Sequence, residues 1–323
     1  MDSLHLTLRP RAAFGGAIKG DTLFGQLCWA ARNRWGEARL AELLDGYTEG
    51  RPFAVCSDAF PRGFLPRPAL PLHRYAAPAE ADRKAVKRRK WVPLGAMDDP
   101  VGEWLSLSRS DAEVAADLGG GDRLAEIHVQ PHNSIDRLTG TTGGAEFAPY
   151  TQEQHWFAAG IDLHLYLLVD STRLSAEDAI QLMHDIGRTG YGRDASIGLG
   201  KFELLGEPTT AALPAQPGAN ACYTLAPCAP QGLQFNPTAS HYEVFTRFGR
   251  HGDLAVHTGR PFKAPVLLAQ TAAVLVPPSL PEQPFLGQGL GGDGSLSRAP
   301  GFEGTVQQGY APWIGLHIEE ETR

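Results

Sequence analysis

The stretch GRTGYGRDASIGLGKF, residues 187–202, gathers the side chains best suited to binding chemistry. Gly187, Gly190, Gly192, Gly198 and Gly200 punctuate it. Glycine lets backbone N–H groups come close to phosphate oxygens. Arg188, Arg193 and Lys201 add positive charge, Ser196 adds a hydroxyl, and Tyr191 offers a ring on which a base could stack. The order is GxxGxG, not the GxGxxG of dinucleotide sites, and it follows a predicted helix instead of opening one. Gly200-Lys201 is followed by Phe202, so the P-loop pattern is also missing. RNA binding is the favoured reading. The alternative is a plain helix-to-strand connection that needs positive φ angles.

Three other clusters bear on chemistry. RKAVKRRK places six basic residues within Arg83 to Lys90. Lys87, Arg88, Arg89 and Lys90 are charges that could follow a phosphate backbone or simply form a solvated helix face. HNSIDRLTG, residues 132–140, packs His132, Asn133, Asp136 and Arg137 together. Such a density suits ribose and phosphate contacts, and equally a turn held by Asn and Asp side chains. The chain has eleven histidines, but none falls in HExxH, and GxSxG and EF-hand patterns are missing. No metal site and no cofactor is expected. His132, beside Arg137, is the best candidate acid–base group for a metal-independent ribonuclease.

The elements that must position these residues follow from periodicity. Leu4, Leu6 and Leu8 alternate with polar residues, as do Leu163, Leu165 and Leu167, and both runs predict strands. After the first, Asp21 is expected to cap a helix with a stripe of Leu23, Phe24, Leu27, Cys28, Ala31 and Trp35. After the second, Ser175 and Asp178 resemble a capping box, followed by Ala179, Leu182, Met183 and Ile186. Phe202 and Leu204 begin a further strand. The glycine- and threonine-rich centre of 131–157 predicts a projecting hairpin or flexible loop. The fold class is α+β. Residues 1–205 read as one ferredoxin-like unit carrying a long insertion, with insert and hairpin at about 60–157. Residues 206–220 read as a linker. Residues 221–323 read as a degenerate, mostly β unit with strand candidates at Tyr223–Ala226, Tyr242–Phe248, Val266–Val276 and Gly309–Ile318.

Composition narrows the class. The chain has 323 residues, 42% hydrophobic and 20% charged, which marks a globular protein. Its 37 glycines and 25 prolines predict many loops. Four cysteines without a CxxC spacing point to neither a zinc ribbon nor a disulfide framework. MDSLHLTLRPRAAF does not read as a signal peptide, and no apolar run approaches the roughly 20 residues of a membrane helix. A cytoplasmic protein without a membrane partner is expected. The net charge of −7 argues against a free-standing nucleic-acid binder and leaves room for a local basic groove.

FGGAIKGDTLFGQLCWA, SDAFPRGFLPRP, HNSIDRLTG, GYGRDASIGLGKF, RPFKAP and QQGYAPW occur in that order across nearly the whole chain. Together they resemble the fourth Csm-type subunit of type III-A CRISPR effector complexes, in the Cas-five group of the RAMP superfamily. The resemblance implies RRM-type, ferredoxin-like units with a glycine-rich loop after a helix. It implies a non-catalytic role in antiviral defence. Such a subunit holds the 5′ repeat-derived handle of the guide RNA and bridges the large polymerase-like subunit to the RAMP backbone subunits. The implied RNA contacts are Arg188, Gly190, Tyr191, Gly192, Arg193 and Ser196 in the loop. His132, Asn133 and Arg137 would lie at the base of a thumb, and Lys19 and Lys263 would face the same RNA. The run Lys87 to Lys90 is left as an RNA or subunit contact. The competing expectations are a RAMP-type endoribonuclease that uses His132 to process precursor guide RNA, and a structural adaptor without RNA contact.

Overall fold

The computed structural model describes residues 1–76, 82–142, 148–192 and 194–319. The first unit begins with β1 (Asp2–Pro10), α1 (Gly20–Trp35), α2 (Glu37–Leu44) and β2 (Ala54–Cys56). An insertion follows with β3 (Phe60–Pro61), β4 (Phe64–Pro66), α3 (Arg83–Arg88), β5 (Trp91–Pro93), α4 (Trp104–Leu107) and α5 (Asp111–Asp117). β6 (Ala125–His132) and β7 (Tyr150–Phe157) pair as a hairpin, and β8 (Leu163–Val169), α6 (Ala176–Thr189) and β9 (Phe202–Thr210) complete the unit. The main sheet runs β2-β8-β1-β9 with every neighbour antiparallel, while β3 continues along β8.

The leucine alternation decides this register. Leu4, Leu6 and Leu8 stand opposite Leu167, Leu165 and Leu163, and all six are buried against the helices with Phe24, Leu27, Leu182, Met183 and Ile186. Each buried leucine is worth about 1.5–3 kcal/mol over an exposed one, and a slip by one residue would turn the whole row outward. The opposite face is covered too. Tyr166 packs there with Phe60, the insert residues Leu65, Val92 and Trp104, and residues of the second unit. Ser175 caps α6 as the sequence predicts, accepting from the Asp178 N–H at 3.1 Å.

The second unit comprises β10 (Ala221–Thr224), β11 (Val244–Arg247), β12 (Val266–Ala269), β13 (Val274–Leu275), β14 (Phe285–Gly291) and β15 (Val306–Leu316). Its sheet runs β13-β10-β15-β14, and β11 and β12 form a separate two-stranded ribbon.

Three expectations are corrected by this architecture. The stretch 206–220 is not a free linker: β9 extends to Thr210, and the Gln216 side chain donates to the carbonyls of Met97 at 3.0 Å and Asp99 at 2.8 Å. Val266–Val276 is two strands, because Ala272 adopts φ 73 between them. Asp21 does not cap α1. It forms a bidentate pair with Arg247 at 2.7 and 2.9 Å, tying the helix to the ribbon of the second unit. β14 escapes sequence reading because its run FLGQGLG looks like loop. Its glycines are there for contact: a Cβ at Gly289 would lie 2.6 Å from the Tyr47 carbonyl oxygen.

Burial lowers the pKa of His5, His164 and His251 below 6.5, and Arg62 and His5 add to the effect at His164, as Lys263 does at His251. Below that value the unfolded chain takes up protons that the folded chain refuses, so stability falls as the pH drops from 6.5 toward the folded-state values. Thermal melting should therefore show a Tm that declines on acidification through this window. His5→Gln and His164→Gln should each flatten the decline, and an unchanged slope in both would remove these groups as its cause.

Candidate nucleic-acid interface

The glycine-rich loop starts where α6 ends. Gly190, at φ 104, terminates the helix, and its N–H donates to the Ile186 carbonyl. The loop then folds back on itself. The Tyr191 N–H donates to the Gly200 carbonyl at 2.9 Å, and the Gly200 N–H donates to the Ala13 carbonyl at 2.7 Å. A Cβ at Gly190 would sit 2.3 Å from the Leu199 carbonyl oxygen, and one at Gly200 would sit 2.1 Å from that of Tyr191. These two glycines are required by the chain's own packing. Gly192 at φ +89 and Gly198 at φ +93 are different, because a Cβ there would meet nothing within 4 Å. They are the places where the loop backbone is open to a ligand.

Tyr191 is not the stacking ring that the sequence suggested. It is 6% exposed and packs near Phe14 with ring centroids 6.3 Å apart. Its hydroxyl oxygen accepts from the Lys19 N–H at 2.9 Å and donates to the Ala17 carbonyl at 3.3 Å. Burial pushes its pKa upward. Lys19 is likewise spent internally: its Nζ donates to Asp58 Oδ2 at 2.7 Å. Asp58, 3% exposed, also accepts from the Gly20 N–H at 2.8 Å and from the Thr271 hydroxyl at 2.5 Å. This carboxylate is the true cap of α1. Its segment, SDAFPRG, stands out in the sequence, but no local signal marks Asp58 for this task.

What the loop leaves outward is Arg188, Ser196 and Lys201, beside the open backbone at Gly192. Arg193 lies outside the described residues. The neighbouring loop 11–19 borders the same surface, since a Cβ at Gly15 would be 2.8 Å from Asp194 Oδ2. Phe14 exchanges backbone hydrogen bonds with His155 at 3.0 and 2.8 Å, so the root of the β6–β7 hairpin abuts this loop as well.

His132, Asn133 and Arg137 sit elsewhere. They lie at the distal end of the hairpin, where His132 pairs with Tyr150, and not at its base. His155 and Tyr150 are five positions apart on β7, so the two groups are separated by about 17 Å of strand. Asn133 and Arg137 are at the surface. The stretch is a turn in which Asp136 Oδ1 accepts from the Leu138 N–H at 2.8 Å and the Asp136 carbonyl from the Gly140 N–H at 2.8 Å. His132 stacks on Tyr150 with centroids 5.1 Å apart.

The basic run divides. Arg89 donates to the carbonyls of Ser106 and Ser108, both at 2.9 Å, and Lys90 pairs with Asp111 at 2.7 Å. These two hold the insert together. Lys87 and Arg88 point into solvent. Lys263 turns inward, where burial lowers its pKa while Cys28 and Asp21 oppose the shift. Its side chain is half-buried. Burial raises the Cys28 and Cys228 thiols to about 12, which makes them poor nucleophiles. Among the described residues no three His, Cys, Asp or Glu side chains are grouped to hold a metal, and no helix is long and apolar enough to cross a membrane.

The two kinds of glycine should separate on mutation. Gly200→Ala meets backbone and should destabilise the chain severely. Gly192→Ala meets nothing and should cost only the left-handed penalty of about 1–2 kcal/mol. Thermal melting of the two variants checks this, and equal destabilisation would contradict it.

No family model matches the sequence, and no curated protein matches it. Solved structures do match. A chain of the Csm1–Csm4 cassette in complex with pppApA aligns with a TM-score of 0.58 and 15% identity, covering 99% of this chain and 100% of that one. A chain of the Csm3–Csm4 subcomplex of the type III-A CRISPR-Cas interference complex aligns with a TM-score of 0.57 and 12% identity, covering 98% and 100%. The cassette with AMPPNP aligns equally well, at a TM-score of 0.58. The subunit common to these assemblies is Csm4, and the chain described here has a Csm4-like fold over its full length.

Proposed function

We propose that the chain is a non-catalytic, RNA-binding subunit of a type III-A CRISPR effector complex. It holds the 5′ handle of the guide RNA and bridges the large polymerase-like subunit to the RAMP backbone subunits, in the cytoplasm, as part of antiviral defence. The observation that carries the reading is the loop after α6. Tyr191, Gly190 and Gly200 tie it to the body through hydrogen bonds and close packing, and it leaves open backbone at Gly192 and Gly198 in the same stretch as the exposed Arg188, Ser196 and Lys201. A loop of this kind offers N–H groups and cations to phosphate.

The Csm4-like fold supports a subunit role, and the matching chains come from complexes with Csm1 or Csm3. Reading the first unit as ferredoxin-like rests on its strand order: β1 lies between β8 and β9, and β8 lies between β1 and β2. β1 connects to β2 through α1 and α2, and β8 connects to β9 through α6. The division at about residue 205, with a second, degenerate unit after it, rests on the two separate sheets. The cytoplasmic assignment is supported by four free cysteines.

The loop's charges are tested by titrating the chain with single-stranded RNA at several salt concentrations. Arg188→Ala with Lys201→Ala should weaken binding and reduce the log–log salt slope by about 1.4, or 0.7 for each phosphate left without its cation. An unchanged slope would make the loop an ordinary connection. The non-catalytic reading is tested at His132. His132→Ala should leave guide maturation in the assembled complex unchanged, whereas an acid–base group would cost about 10²–10⁴-fold.

A further inference from the structure

In the RPFKAP segment, alternation along the chain sends Lys263 inward and Phe262 outward. Phe262 is 67% exposed and stands opposite Arg250, whose guanidinium lies 6.0 Å from the ring centroid. Across from it, along β11 and its flanks, Tyr242, Glu243, Val244, Thr246, Phe248 and Arg250 are exposed, while Phe245, Arg247 and Gly249 are half-buried. Phe248 is 75% exposed. The ribbon is therefore anchored on α1 through Arg247 and Asp21, and its outward side carries Phe248, Arg250 and, from the facing segment, Phe262.

We propose that this outer face is a base-stacking platform for single-stranded RNA, with Phe248, Phe262 and Arg250 as its stacking groups. The proposal rests on the RNA-binding reading above and adds a second contact region to it. Exposure supports it: Phe248 and Phe262 are 75% and 67% exposed, and Arg250, two residues after Phe248, lies over the Phe262 ring. Aromatic rings and guanidinium planes both take a base face to face.

Charge favours RNA over a protein occupant. In a chain of net charge −7, Arg250 lies over the Phe262 ring, Arg260 is exposed two residues before Phe262, and the exposed Glu243 lies at the other end of the stretch, beyond Val244. Position favours it as well. Thr271, just beyond β12, bonds Asp58, which holds Lys19, which in turn holds Tyr191 of the glycine loop. The ribbon and the loop are fixed to one framework.

The test uses the full chain and a short unstructured oligoribonucleotide carrying 2-aminopurine. Phe248→Ala and Phe262→Ala lie on the surface and should melt like the parent. Each should weaken binding by about 5- to 160-fold, the range for removing one ring from beneath a stacked base, and relieve 2-aminopurine quenching. The salt slope should stay unchanged, because neither ring neutralises a phosphate. Phe248→Trp and Phe262→Trp should retain parental binding. If the alanine variants keep full RNA affinity while the Arg188 and Lys201 variants lose it, the platform is overturned and the loop reading stands. If RNA affinity is kept but a co-expressed partner subunit no longer copurifies, the face is a protein-docking surface and the proposal fails. A parent chain that binds no RNA at all overturns both.

Discussion

Asp58 is a carboxylate withdrawn almost wholly from water, and most of the architecture converges on it. Burial raises its pKa, and the Lys19 ammonium, the Thr271 hydroxyl and the Gly20 amide oppose that rise by favouring the charged form. Removing one partner of such a buried pair typically costs about 3–5 kcal/mol, because the other charge is left without water or counterion. The partners come from different places: the loop before α1, the first turn of α1, and the second unit. Asp58 therefore makes the two units interdependent. The Asp21–Arg247 pair repeats the device one residue further along α1, with Gln307 of β15 reaching Asp21 at 3.4 Å.

The first unit was legible in the sequence where patterns were strong. The leucine rows, the stripe of α1 and the Ser175 cap are local signals, and local physics decides them. Legibility stopped where the deciding contact is long-range. Asp21 looked like a cap because it precedes a helical stripe, yet its partner is 226 residues away. β14 is not among the strand candidates because its run is glycine-rich, and those glycines are where Tyr47 and Gly309 press against the strand.

The candidate interface divides the same way. The glycine loop could be found from composition, but not which glycines serve the fold and which face open space, since that depends on where Leu199 and Tyr191 return. Tyr191 and Lys19 have the side chains of RNA ligands, and both are used to build the framework. Lys263 and Phe262 are adjacent in the RPFKAP segment, yet the cation is half-buried and the ring is 67% exposed, a difference that side-chain type alone does not announce. Conversely, Arg188, Ser196 and Lys201 were read from side-chain type alone and do lie on the surface.

The β6–β7 hairpin has a spatial consequence. Its paired strands are eight residues long, about 26 Å, and most of its side chains stand clear of the body. Near its root it is stitched to Phe14 by two backbone hydrogen bonds through His155, and Phe14 packs near Tyr191. The hairpin thus starts at the surface bordered by the loop that carries Lys19 and holds Arg137 well out from it, which extends the reach of this face beyond the body of the protein.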